Sequence, residues 1–122
     1  MNINFLGIGF DSPNAEVIAQ FWAHVLGRKV TEGASADFAA VAADDLALAG
    51  PLLMFHKVPE GKTAKNRLHL DLSTSDFESE SARIVALGAS KLRDIKADDG
   101  RTQWTTFADP DGNEFDLVNR RD

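Results

Sequence analysis

The hydrophobic positions of this chain change period in an orderly way. Residues 67–76, RLHLDLSTSD, alternate strictly, with Leu68, Leu70 and Leu72 on one side and His69, Asp71 and Ser73 on the other. That is the period-2 signature of a strand with two unlike faces. The first face reads as core; the second carries a histidine and an aspartate in mid-strand, as the wall of a cleft would. Residues 5–14, FLGIGFDSPN, also read as a strand. Two segments repeat at helical spacing instead. In SPNAEVIAQFWAHVLG, the residues Val17, Ile18, Phe21, Trp22, Val25 and Leu26 form one stripe. Ser12 is the expected cap, Pro13 suits the first helical position, and Gly27 is the stop. In STSDFESESARIVALGAS, Phe77, Ser81, Ile84, Val85 and Gly88 share a face, and Ser75 with Glu78 has capping-box spacing.

The two helical patterns end in Leu26-Gly27 and Leu87-Gly88, half the chain length apart, which prompts a search for an internal repeat. A shift of 62 aligns Leu6 with Leu68, Phe10 with Leu72, and Gly7 with His69. A shift of 60 aligns Phe55 with Phe115, Val58 with Val118, and His56 with Asp116. Three strand candidates follow each helix: 28–32, 36–43 and 51–58, then 90–96, 102–108 and 113–119. Each half therefore reads β-α-β-β-β. One domain of 122 residues is expected, with a first module over about 1–58, a linker over 59–66 and a second module over about 67–122. ADPDGNE (108–114) reads as a tight turn, and IKADDGR (95–101) as a solvated hairpin loop.

Composition narrows the function. The formal charge is −6, so electrostatic attraction to nucleic acid or an anionic membrane is not expected. No apolar run reaches the roughly 18 residues of a membrane span, and no signal pattern opens the chain. Cytoplasmic location is the expectation. Cysteine is absent, so disulfide and thiolate chemistry are excluded. The expected partner is a small molecule or another protein.

The segments FWAHVLGRKV (21–30), NRLHLDL (66–72), ARIVALGA (82–89) and FADPDGNEFDLV (107–118) resemble the vicinal-oxygen-chelate superfamily. That superfamily contains glyoxalases, extradiol dioxygenases and bleomycin-resistance proteins, and the chain looks most like its small glyoxalase-like members. The resemblance implies an α+β fold of two βαβββ modules, with curled mixed sheets around a shared cleft and the helices outside. Leu68, Leu70 and Leu72 would then pack under the second helix, and His69 and Asp71 would face the cleft. It also implies a homodimer, which would cover the edges of the curled sheets.

In folds of that kind, metal ligands come from the first and fourth strand of each module. Carried onto the repeat, these places are Gly7, His56, His69 and Asp116. Glycine offers no ligand. The remaining two imidazoles and one carboxylate suit a divalent ion such as Fe, Mn, Zn or Ni and leave positions open for substrate. Each residue also has a plainer reading: a hydrogen-bonded wall histidine for His69, a solvated one for His56. Glu114 shares a strand face with Asp116, so either can be the functional carboxylate, and Glu114 is the candidate general base. Arg67 is a candidate to bind a substrate carboxylate, against rim ion pairing. Met54, with Leu52, makes an apolar wall near His56, and Trp104 either stacks on a ring or is buried structurally. His24 lies off the helical stripe and reads as surface.

Three functions follow. One is a metal-dependent lyase, isomerase or dioxygenase acting on an oxygenated small molecule. Another is a metal-free protein that binds or sequesters a ligand, as in the bleomycin-resistance branch; a regulatory or interaction module with a degenerate cleft is a third.

Overall fold

The computed structural model describes residues 2–42 and 51–120. Along the chain run β1 (Gly7–Ser12), α1 (Ala15–Leu26), β2 (Lys29–Val30), β3 (Phe38–Ala42), β4 (Leu52–Lys57), β5 (Leu70–Thr74), α2 (Phe77–Leu87), β6 (Ser90–Lys96), β7 (Thr102–Ala108) and β8 (Glu114–Asn119). The strand expected over 36–43 runs to Ala42, and position 43 lies outside the described residues. Two compact units result, one ending at Gly61 and the next beginning at Lys62, a boundary inside the expected linker.

Each unit is a βαβββ module with a four-stranded mixed sheet. The strand order is β1-β4-β3-β2 in the first and β5-β8-β7-β6 in the second. In both, the strand before the helix pairs in parallel with the last strand, and the other pairings are antiparallel. The fold is α+β, as the family resemblance implies.

One offset of 62 residues relates the two units. It carries the helix N-cap Asn14 onto Asp76. It also carries the bond from the Val58 N–H to the Ser12 carbonyl onto that from the Arg120 N–H to the Thr74 carbonyl, both 2.9 Å. Under this register Met54 corresponds to Asp116, and His56 to Val118. The shift of 60 that sets His56 against Asp116 is therefore slipped by one full pleat. Such a slip keeps every side chain on its own face, so the hydrophobic pattern cannot detect it.

In the first unit, Ile18, Phe21, Trp22 and Val25 of α1 are buried, as are Leu53 and Phe55 of β4. The Phe10 ring lies 4.9 Å from Phe55 and 5.6 Å from Trp22. Val17 falls off the stripe and is 60% exposed. Asn14, not Ser12, caps the helix: its side chain accepts from the Val17 N–H, while the Ser12 hydroxyl donates to the Asn14 carbonyl. Pro13 thus sits just outside the helix rather than in its first turn. Gly27 ends the helix at φ 65°, the left-handed conformation that suits glycine.

The second unit has a thinner helix interface. Ile84 is the buried residue of α2, and it belongs with Phe107, Phe115 and Leu117 of the sheet core. Val85 is 47% exposed. The capping box does not form: Asp76 is the N-cap and makes no side-chain cap bond. Leu68 is not under the helix either. It is 89% exposed, because the β5 ladder begins only at Leu70. The ADPDGNE turn closes β7 onto β8 through Asp109, which is buried. Its carboxylate accepts from the Asp111 and Asn113 backbone N–H groups and from the Asn113 amide.

Gly7 is required by contact. A Cβ at this position would collide with the Leu52 carbonyl oxygen and lie 3.1 Å from the Leu52 Cβ. Gly7→Ala is expected to lower stability by about 1–3 kcal/mol, the usual cost of forcing atoms into a closed space. Chemical denaturation of the two proteins checks this.

Candidate functional site in the second unit

The open face of the second sheet is set by register. Asp71 pairs with Asp116, Asp116 with Thr106, and Thr106 with Arg93, across β5, β8, β7 and β6. Directly paired residues point to the same side of a sheet. Phe107, Phe115 and Leu117 fill the opposite face, so the polar row is left facing outward. Trp104 pairs with Ile95, and Ala108 with Glu114, on that same outward side. The result is an open pocket of about 230 Å³ lined by Lys65, His69, Arg93, Ile95, Trp104, Thr106, Glu114 and Asp116.

His69, Asp71 and Asp116 converge at one end. Their donor atoms lie within 4.8 Å of one another. The His69 Nδ1 is 2.9 Å from Asp71 Oδ1 and 3.7 Å from Asp116 Oδ2. Without an ion Nδ1 donates to Asp71 Oδ1, and an ion held among the three groups would take that proton's place. Asp116 is the best-held of the three. The Thr106 hydroxyl donates to its Oδ1 at 2.6 Å, leaving Oδ2 turned toward His69. The Asp116 side chain is 16% exposed, against 43% for His69 and 60% for Asp71. Two carboxylates directly opposite on neighbouring strands repel, and a cation between them relieves that cost. One imidazole and two carboxylates, with the more buried carboxylate oriented by a hydroxyl, fit a divalent ion.

Glu114 occupies the other end. Its Oε2 accepts from Lys65 Nζ at 3.1 Å and lies 3.7 Å from Arg93 Nη2. The Lys65 hydrogen bond holds its carboxyl below the usual range; partial burial opposes this, and the charges of Lys65, Arg93 and Lys62 reinforce it. A carboxylate held as an anion by cations takes up protons weakly, so the geometry suits a charge-organising role better than general-base work near neutral pH. On the core side, Asp94 is likewise held low, by Lys91 and then by the Thr105 hydroxyl.

Among the sequence candidates, His69, Asp116, Glu114 and Trp104 line this one pocket, with Trp104 forming wall rather than buried core. Arg67 is exposed and outside the lining; the pocket guanidinium is that of Arg93. His56 and Met54 stand on the open face of the first unit's sheet, where His56 is exposed with its ring 5.0 Å from Phe38. Asp71, Arg93, Lys65 and Thr106 are not among the sequence candidates. Strand alternation can place Asp71 beside His69, whereas the polar strand around Arg93 carries no clear facial signal. His24 is at the surface as expected, its Nδ1 2.7 Å from the Gln20 carbonyl.

Residues 7–118 match the glyoxalase-like domain family, and the chain belongs to that family, within the vicinal-oxygen-chelate superfamily. No curated protein matches the sequence. Several solved structures share the fold. An E126Q mutant of the fosfomycin resistance protein FosX from Listeria monocytogenes, complexed with Mn(II) and 1S,2S-dihydroxypropylphosphonic acid, is similar at 14% identity and TM-score 0.75, covering 99% of this chain and 93% of that one. A glyoxalase/bleomycin resistance protein/dioxygenase family enzyme from Burkholderia phytofirmans PsJN is 16% identical with TM-score 0.69, over 94% and 97% of the chains. Oxidase ChaP-H2 is 19% identical with TM-score 0.64, over 99% and 96%. Likeness at such identities establishes the fold and leaves the reaction open.

The lowered Glu114 carboxyl gives a pH test. A group whose folded pKa is depressed adds stability above its unfolded pKa, and loses it as pH falls through the folded value. Wild type is expected to melt above Glu114→Gln at pH 7, with the difference shrinking below the ordinary carboxylate range near 4.5. Thermal melts of both proteins from pH 7 to 3 check the sign.

Proposed function

We propose that this is a small-molecule protein whose second unit holds a divalent metal ion through His69 and Asp116, with Asp71 as a third donor. On this reading it works as a lyase, isomerase or dioxygenase on an oxygenated ligand. The observation that carries the reading is the convergence of His69, Asp71 and Asp116 beside an open pocket of about 230 Å³. Mn(II) in the FosX complex supports it by likeness of fold. A bound divalent ion would supply Lewis acidity toward ligand oxygens. The chain's own residues would do the rest: Thr106 orients Asp116, and Trp104 and Ile95 shield one side of the ligand from water. His56 and Met54 stay outside this reading, since both stand on the open face of the first unit's sheet.

A second reading rests on a different observation. The position corresponding to His69 in the first unit is Gly7, where contact with Leu52 forbids any side chain. A chain that cannot complete the four-place ligand pattern also fits a metal-free protein that sequesters its ligand.

Metal analysis after purification without chelator separates the two. About one equivalent of a divalent ion in wild type, lost in His69→Ala and Asp116→Asn while the circular dichroism is unchanged, is the expected result. A metal-free wild type that takes up no Mn(II) or Zn(II) would favour the second reading.

We also propose a homodimer. Strands β1 and β5 are sheet edges, and Ile3, Phe5, Leu6 and Leu68 leading into them are 71–90% exposed, which is costly for a lone chain. Light scattering is expected to give twice the 13.3 kDa of one chain; 13.3 kDa across micromolar concentrations would overturn it.

A further inference from the structure

Glu114 is met by two cations of the pocket. Lys65 and Arg93 approach the same oxygen, Oε2, at 3.1 and 3.7 Å. They come from separate segments: Lys65 precedes β5 at one edge of the sheet, and Arg93 belongs to β6 at the other. Arg93 makes no hydrogen bond to Glu114, and the 3.7 Å approach is its one ion pair among the described residues. A guanidinium carries five donors in a fixed fork that matches a carboxylate in two parallel bonds. Here that fork lines the pocket half-exposed, its capacity largely unspent. Ile95, two residues on, and Trp104, paired with Ile95, supply an apolar wall beside it.

Charge points the same way. The lining carries two cations, Lys65 and Arg93, and two carboxylates, Glu114 and Asp116. Displacing the Glu114 side chain from the cations would leave them facing the cavity with no anion of their own. An incoming carboxylate takes over that pairing, with the bidentate geometry that Glu114 does not achieve.

We propose that Glu114 is a resident stand-in for the acid group of the ligand, and that the pocket takes a small monocarboxylate whose planar apolar body lies against Trp104 and Ile95. Arg93 is its clamp, in the role the sequence assigned to Arg67, and Lys65 is its second cation. The inference rests on reading this pocket as the ligand site, but the bound ion is not part of it.

Benzoate is the probe, with acetophenone as the uncharged probe of the same shape. Both are titrated calorimetrically into the full chain in the presence of chelator, which keeps the result separate from the metal question. Benzoate is expected to bind wild type weakly and saturably, and acetophenone at least tenfold more weakly. Glu114→Gln, which removes the competing anion, is expected to bind benzoate about tenfold more tightly. Arg93→Lys keeps the charge and loses the fork; it is expected to weaken benzoate about tenfold while leaving metal content and melting temperature unchanged. Equal benzoate affinity in wild type and Glu114→Gln would overturn the stand-in. Equal affinity in wild type and Arg93→Lys would overturn the clamp, since a bare positive charge would then suffice. Equal binding of benzoate and acetophenone would overturn both.

Discussion

Everything in the second unit hangs on the parallel pairing of β5 with β8. That ladder sets Leu70 beside Phe115 and Leu72 beside Leu117 on the helix side, and by alternation it must set Asp71 beside Asp116 on the other. The apolar pairs supply the driving force, and the acidic pair comes with them. The sheet cannot bury its phenylalanines without bringing two carboxylates face to face. His69 at 2.9 Å and the Thr106 hydroxyl at 2.6 Å are the local answers to that enforced closeness.

The same pairing makes the site tolerant in some directions and rigid in others. Asp116 is fixed from below by Phe115 and Leu117, which are almost fully buried, and from the side by Thr106. His69 and Asp71 stand at the start of an edge strand and are far more exposed. Any ligand engaged here meets one fixed anchor and two adjustable groups. At the far end of the pocket the cations are the adjustable part, because Lys65 and Arg93 are long side chains that reach toward a largely buried Glu114.

Much of this architecture was legible in the pattern of residues. Alternation over 67–76 and the helical stripe around Trp22 locate β5 and α1 closely, because burial imposes the period on the sequence directly. The DPDGN turn is legible for the same local reason: Asp109 folds its own carboxylate back onto the next few N–H groups. Register was not legible. A slip of two residues leaves every face unchanged, so His56 and Met54 compete for the same place in the repeat until the hydrogen bonds are known. Nor was Arg93, since its strand is mostly solvated and its approach to Glu114 spans two intervening ladders. Leu68 misled for a related reason: alternation continues past the point where pairing stops.

The contact between Gly7 and Leu52 has a consequence for how such a chain diversifies. Two halves descended from one ancestral module would begin with the same chemistry at the same offset. A close backbone approach at Gly7, the position that corresponds to His69, bars a ligand side chain there by any single substitution. Among the described residues, the imidazole, carboxylates and cations of this pocket belong to the second half, all between residues 65 and 116. Drift in the first half is then free to follow packing alone, and new specificity has to be written into the second.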